Sequence, residues 1–98
     1  MGNFSKDLGG KSVANGATDT LLTFGPPNGG KLKTVYVYLP LYVRLYINID
    51  DRPLQVLDGA IDGSIDLNIA FEKLEILLYN NTGATITTKN ITVSGEAD

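Results

Sequence analysis

The stretch Leu41-Tyr42-Val43-Arg44-Leu45-Tyr46-Ile47-Asn48-Ile49-Asp50 alternates between apolar and polar side chains over ten residues. Its odd positions are all aliphatic, whereas its even positions hold Tyr, Arg, Tyr, Asn and Asp. Side chains of a β-strand point alternately to opposite faces, so the segment predicts a central strand with one face in a core. A helix would spread the same aliphatic residues around its circumference.

Turn signals divide the rest of the chain into short β-rich segments. The strongest break is Gly25-Pro26-Pro27-Asn28-Gly29-Gly30, because proline removes ladder donors and glycine accepts positive φ. Asp58-Gly59 and Asp62-Gly63 predict turns that flank a loop, and Glu72-Lys73 predicts a hairpin turn. The predicted strands are residues 18–24, 31–39, 41–50, 52–57, 65–71, 74–79 and, within 85–93, either one bulged strand or two short ones; residues 11–14 are a candidate for a further short edge strand.

Seven or eight short strands without a helix predict an all-β chain, folded as a single antiparallel β-sandwich of jelly-roll-like or Greek-key form. Residues 1–10 are polar and Gly-rich, with Phe4 and Leu8 isolated, and predict a flexible N-terminal arm. Residues 11–95 would be the β-sandwich domain and residues 96–98 a tail. The predicted edge strands are 11–14 and 53–57, of which only the second carries a proline.

The core is predicted from the apolar phase of each strand. Its members are Leu22, Phe24, Val35, Val37, Leu39, Val43, Leu45, Ile47, Ile49, Leu67, Ile69, Leu74, Ile76, Leu78, Ile91 and Val93.

Composition argues against most kinds of chemistry. The 98 residues include no cysteine and no histidine, which removes disulfides, thiolate nucleophiles, imidazole bases and the commonest zinc ligands. Neither a G-x-S-x-G motif nor a phosphate-binding glycine loop is present, so we expect no enzyme and no cofactor. A net charge of −3 argues against nucleic acid as a partner. The longest apolar run, residues 35–43, is too short to span a membrane, and the first 30 residues hold no apolar signal-peptide segment.

Five aspartates, at positions 50, 51, 58, 62 and 66, raise the question of a metal site or an acid–base pair. The spacing of 58, 62 and 66 differs from that of a calcium-binding loop, and two of these residues precede glycine. Turn formation is therefore predicted, and no metal site. Residues 1–40 carry four lysines against two acids, whereas residues 41–75 carry three bases against seven acids. This unevenness fits an ordinary solvated surface, or two electrically distinct ends that dock neighbouring subunits.

The tyrosines provide the candidate interaction face. Tyr36 and Tyr38 lie on one predicted strand, and Tyr42, Arg44 and Tyr46 lie on the next, opposite the aliphatic residues. If these strands pair, all five side chains cover one sheet face. Two explanations fit tyrosines at these positions. One is their high β-propensity combined with partial burial; the other is a surface that binds protein or sugar. The absence of Trp makes the sugar platform the weaker of the two.

Three segments resemble small β-sandwich virion proteins of prokaryotic viruses. They are SVANGATDTLLTFGPPNGGKLKTVYVYLP (12–40), VRLYINIDDRPLQVL (43–57) and KLEILLYNNTGATITTKNITVSGE (73–96). The resemblance lies in the order of strands and turns over residues 12–95. It implies a non-enzymatic structural subunit of a virus particle: a capsid decoration protein, a minor capsid protein or a spike component.

Such a subunit would be located in the virion, after assembly in the host cytoplasm. Its expected partners are further copies of itself, with a trimer favoured, and a major capsid protein. The alternative from a different class is a carbohydrate-binding module that uses the tyrosine face.

Overall fold

Ten β-strands make up the chain in a computed structural model that describes residues 2–97. Their bounds are β1 Gly2–Asp7, β2 Ser12–Val13, β3 Thr18–Phe24, β4 Gly30–Leu39, β5 Val43–Ile49, β6 Arg52–Asp58, β7 Ile61–Phe71, β8 Leu74–Asn80, β9 Ile86–Thr87 and β10 Thr92–Ala97. No helix occurs in this described part of the chain. The predicted all-β class is therefore confirmed.

Eight of the strands form two four-stranded antiparallel sheets. The first sheet has the order β1-β10-β4-β7, and the second has the order β3-β8-β5-β6. The pairs β1/β10, β3/β8, β4/β7 and β5/β6 are those formed when one long hairpin is rolled up into two layers. This arrangement is the jelly-roll form of the β-sandwich, and it matches the predicted sandwich of seven or eight strands. The short strands β2 and β9 pair with each other as an addition.

The core lies between the two sheets and follows the predicted alternation closely in the central strands. Of the sixteen predicted core residues, twelve are buried, while Leu22, Phe24, Leu67 and Ile69 are partly buried against them. The prediction missed six buried residues, which lie in connections, at strand ends or at bulges: Leu8, Val13, Leu21, Leu32, Leu57 and Phe71. A shift in register between Thr20 and Leu22 explains why the prediction missed Leu21, because a bulge at this point interrupts the alternation that the prediction used.

The N-terminal residues differ from the predicted flexible arm. Gly2–Asp7 pairs along its length with β10, and the Phe4 ring lies 5.0 Å from the Phe24 ring and 6.1 Å from the Phe71 ring. Leu8 is buried. Two isolated apolar residues carry no periodic signal, so their burial depends on a partner strand at the far end of the chain. Part of the predicted C-terminal tail likewise belongs to β10, which runs to Ala97; Met1 and Asp98 lie outside the described residues.

The first two residues of the predicted strand 41–50 belong to a turn instead. Val43 N donates to the Pro40 carbonyl at 3.3 Å, Leu41 is 56 % exposed, and Tyr42 has φ +68°. The chain therefore leaves the first sheet at Leu39 and enters the second at Val43. Pro40 ends the ladder of β4 because it lacks an amide hydrogen.

Two further predictions need correction at the sheet margins. Asp62-Gly63, predicted as a turn, lies inside β7. The predicted edge strand 11–14 pairs with β9 instead of bordering a main sheet. The sheet edges are β1, β7, β3 and β6, so the proline-containing edge at 53–57 is confirmed.

Four connections meet at one end of the sandwich: residues 8–17, 40–42, 59–60 and 81–91. Backbone hydrogen bonds connect them to one another and to nearby strand ends. Gly59 N donates to the Val43 carbonyl (2.8 Å), and Asn81 N donates to the Tyr42 carbonyl (3.0 Å). We call this the connection end. The opposite end carries the tight turns at 50–51 and 72–73.

Candidate binding surfaces

The five residues of the predicted interaction face do not share a face. The strands that carry them, β4 and β5, belong to different sheets. Side chains that point away from the core therefore project in opposite directions: Tyr36 and Tyr38 from the first sheet, Arg44 and Tyr46 from the second. Tyr42 lies in the turn between them. The prediction assumed that consecutive strands pair, but the connection at Pro40 crosses from one layer to the other.

The outer face of the first sheet is polar around its two tyrosines. Tyr36 is 51 % exposed and lies between Thr92 and Ser64 on the neighbouring strands. The Lys89 ammonium lies 4.9 Å from the centroid of the Tyr38 ring. Both rings are thus surrounded by hydroxyl or charged groups, which is ordinary for a solvated sheet face.

The outer face of the second sheet carries an apolar row instead. Tyr46 on β5 lies directly opposite Val56 on β6 and Leu77 on β8. In the next row, Arg44 lies between Asp58 on β6 and Tyr79 on β8. We call the surface formed by Val56, Tyr46, Leu77, Arg44 and Tyr79 the Tyr46 face.

Sequence reasoning missed three of the five residues of the Tyr46 face: Val56, Leu77 and Tyr79. The alternation along β8 does place Leu77 and Tyr79 away from the core, because Ile76 and Leu78 are buried. What the alternation could not indicate is that β8 is the neighbour of β5. Val56, which is 46 % exposed, lies on the edge strand of the same sheet.

An ion pair fixes the arginine of this face. Arg44 Nε donates to Asp58 Oδ1 at 2.6 Å. This hydrogen bond, followed by the proximity of the Tyr46 hydroxyl and the charge of Asp58, raises the pKa of Arg44 above its ordinary value. The guanidinium therefore lies across the strands and beside two tyrosines, in an ion pair that is largely exposed to solvent.

A cleft of about 280 Å³ continues the Tyr46 face at the connection end. Tyr42, Arg44, Asp58, Tyr79 and Asn81 are among the residues that line it, and we call it the Tyr42 cleft. Tyr42 is 64 % exposed, and its positive φ is uncommon for a bulky residue. The cleft combines two aromatic rings with planar donors and acceptors, which suits binding by stacking and hydrogen bonds.

The aspartates have mainly structural partners. Asp50 Oδ1 accepts the amide hydrogens of Glu72 and Lys73, both at 2.8 Å, and these bonds lower the pKa of Asp50. Asp58 pairs with Arg44, and Asp66 accepts the Thr34 hydroxyl at 3.1 Å. Among residues 2–97, no three acidic side chains cluster in a way that could hold a metal ion. Within the same range, no helix is long and apolar enough to cross a membrane.

The sequence matches no protein-family model and no curated protein. The resemblance to small virion proteins therefore stays a prediction from the order of strands and turns.

Proposed function

We propose that this chain is a non-enzymatic structural subunit of a virus particle, such as a capsid decoration protein, a minor capsid protein or a spike component, and that it acts by protein–protein assembly. The observation that carries the proposal is the Tyr46 face. Tyrosine and arginine are enriched at protein interfaces and among the residues that contribute most to binding.

The contrast between the two outer faces supports this choice of surface. Both faces belong to sheets of equal strand number, yet only the second sheet presents an uninterrupted row of Val56, Tyr46 and Leu77. Covering that row would remove apolar area from water, which favours association.

The fold adds support by analogy only. Jelly rolls occur in viral capsid proteins and in lectins, and a fold hosts many functions. Together with the resemblance of segments 12–40, 43–57 and 73–96, this favours a location in the virion after assembly in the host cytoplasm. The proposed partners are further copies of the chain, with a trimer favoured, and a major capsid protein.

Sedimentation equilibrium of the full chain tests the proposal. We expect an oligomer that the double variant Tyr46→Ser/Leu77→Ser weakens at least about tenfold, the equivalent of roughly 1.4 kcal/mol. The matched double variant Tyr36→Ser/Tyr38→Ser, on the polar outer face, should leave association unchanged. A chain that stays monomeric at high concentration would argue against self-assembly. If both double variants weaken association equally, the Tyr46 face is not the specific interface.

The Tyr42 cleft favours a second candidate, carbohydrate binding. Tyr42 and Tyr79 offer ring faces for a sugar, while Asp58 and Asn81 offer planar hydrogen-bonding groups. This site replaces the single tyrosine platform expected from the sequence. Retention of the monomer on a polysaccharide resin, lost in Tyr42→Asn but kept in Tyr36→Asn, would support it. Asparagine tolerates positive φ, so the first variant removes the ring without a new backbone cost.

A further inference from the structure

The four sheet edges differ in how they resist pairing with another chain. Edge strands are commonly protected by proline, by bulges or by charged side chains that point inward. On β6 the protection is Pro53; on β3 it is the bulge at Leu21 together with Asp19, which lies opposite the buried Leu78. On β1, Lys6 turns inward over the Phe24 ring.

Over its first six residues, strand β7 has no proline, no bulge and no charge that points inward; its two charges, on Asp62 and Asp66, point outward. Ile61–Asp66 contains no proline and no lysine, and it pairs regularly with β4 on one side only. The bulge of β7 comes later, at the register shift marked by Asn68 with φ +56°. One edge of this regular segment therefore presents unpaired backbone donors and acceptors.

The sandwich is also incompletely closed beside this edge. The inward-facing Ile61, Ile65 and Ile69 are only partly buried, whereas the inward-facing residues of β4, β5 and β8 are buried. Farther along β7, beyond residues 61–66, a depression of about 530 Å³ is lined by Leu54 of β6 and Ile69 of β7. Apolar side chains thus remain accessible between the two sheets along this side.

Gly63 leaves a notch in the same side. It lies opposite the buried Val37, on the inward-facing positions of β7 between Ile61 and Ile65. A Cβ atom placed on Gly63 would meet no atom within 4 Å, and Gly63 is not among the positive-φ glycines. At Gly59 and Gly95, by contrast, a Cβ would overlap the backbone. Neither packing nor conformation requires glycine at position 63, so the notch is free space.

Charge limits which strand can fill this edge. Outward-facing Asp62 and Asp66 are the charged residues of β7, and neither forms an ion pair within the described part of the chain. Antiparallel pairing with a second β7 centred on Ser64 would place Asp62 opposite Asp66. Like charges directly opposite one another are destabilising, so a strand with basic outward side chains fits better than a second copy of β7.

We propose that Ile61–Asp66 is the acceptor for an extended segment of another protein, in which basic and apolar side chains alternate. Its backbone extends the first sheet beyond β7. One apolar side chain enters the notch at Gly63, and the basic side chains face Asp62 and Asp66. This deepens the proposed function by describing a partner protein of the particle, and it rests on that function only for the partner's origin.

An NMR titration with a capped nine-residue peptide of alternating lysine and valine provides the test. We expect binding that protects alternate amides of residues 61–66 and that weakens as salt is added. A peptide of alternating glutamate and valine, with the same β-propensity at its valines, should not bind. Equal binding of both peptides, or protection at β1, β3 or β6 instead, would overturn the proposal.

Two single variants separate the notch from the rest of the strand. Gly63→Val fills the notch and should lower peptide affinity at least tenfold, while the free domain keeps its fold because the added side chain enters open space. Ser64→Val adds the same side chain on the outward face and should leave affinity within a factor of about two. Unchanged binding in Gly63→Val would refute the notch as a docking position.

The same samples distinguish this inference from the proposed function. Tyr46→Ser/Leu77→Ser should bind the lysine–valine peptide as the wild type does, because those residues lie on the other sheet. If this double variant loses self-assembly but still binds the peptide, the result supports both proposals. Absence of assembly in the wild type with retained peptide binding would refute self-assembly alone. If Gly63→Val weakens self-association, the occupant is a second copy and the proposed basic partner is wrong.

Discussion

Asn80 joins three segments at the connection end through one fully buried side chain. Its Nδ2 donates to the carbonyl oxygens of Val13 (2.9 Å) and Ala84 (2.7 Å), and its Oδ1 accepts the amide hydrogen of Thr82 (3.0 Å). In the sequence this residue directly follows the predicted strand 74–79, and nothing in the local pattern indicates these contacts. The side chain is the partner of one buried backbone carbonyl, that of Val13, and of two partly buried backbone groups.

We expect Asn80→Ala to lower the free energy of unfolding by more than about 2 kcal/mol. Each buried polar group left without a partner costs roughly 1–3 kcal/mol, and the substitution removes both donors and the acceptor. Asn81→Ala, at the exposed neighbour, should stay within about 0.5 kcal/mol. Chemical denaturation of the two variants measures the difference; equal losses would mean that the network contributes nothing specific.

Asp50 makes a contribution that depends on pH. The backbone amide hydrogens of Lys73 and Glu72 lower its pKa below the ordinary value of 3.8. Because the folded pKa is the lower one, the stabilisation is complete above the unfolded value and is lost as the pH falls through the folded value. Asp50→Asn should therefore lower the melting temperature at neutral pH, and the difference from the wild type should shrink in acid.

Thermal melts between pH 7 and pH 2 test this expectation. Asp62→Asn serves as the control, since Asp62 accepts no backbone hydrogen bond in the described part of the chain. A constant difference between wild type and Asp50→Asn across the range would show that the carboxylate charge is irrelevant to the turn at residues 72–73.

At the scale of elements, β5 tests the assignment of faces. Leu45 is fully buried, as its phase in the alternating stretch predicted, while Asn48 lies on the outward face. Leu45→Ala should cost about 2–5 kcal/mol through lost transfer energy and the cavity left behind. Asn48→Ala should cost less than about 0.5 kcal/mol. The reverse order of the two losses, measured by denaturation, would contradict the burial of this face.

Strand β1 is ordered by its apolar contacts as much as by its ladder. Phe4 forms edge-on contacts with Phe24 and Phe71 and is only partly buried. Phe4→Ala should therefore cost about 2 kcal/mol, below the roughly 3–5 kcal/mol of a fully buried Phe. Hydrogen exchange at β10 should accelerate in the same variant. Exchange and stability equal to wild type would restore the flexible arm predicted for residues 1–10.

At the scale of the whole molecule, the extents of 41 × 23 × 21 Å along the principal axes describe an elongated sandwich with unlike sides. One outer face is polar, the other carries the Tyr46 face, and the side between β6 and β7 is open. Such asymmetry allows several different contacts at once, which suits a subunit placed between neighbours in a particle.

Stability of the whole domain should not depend on metal ions. Asp50 holds a turn and Asp58 forms an ion pair, and the acidic residues of the described chain form no cluster suited to a cation. We expect the melting temperature to stay the same in millimolar calcium and in EDTA. A rise of several degrees with calcium would reveal preferential binding to the native state and would contradict the turn assignment of the aspartates.

Local pattern was sufficient for much of the fold. The alternation around Leu45 and Ile47, the break at residues 25–30 and the lack of any helical period predicted the strands, the buried face and the sandwich. These are properties of neighbouring residues, because each side chain's direction in a strand follows from the pleat alone.

The binding surfaces depended on which strands became neighbours, and no local pattern contains that information. Tyr36 and Tyr46 have the same phase relative to the core, yet the crossing at Pro40 places them on opposite outer faces. Leu77 joins Tyr46 only because β8 pairs with β5, and β7 is open only because it ends its sheet. Many strand orders satisfy the same alternation; the long-range packing of the two layers selects one of them.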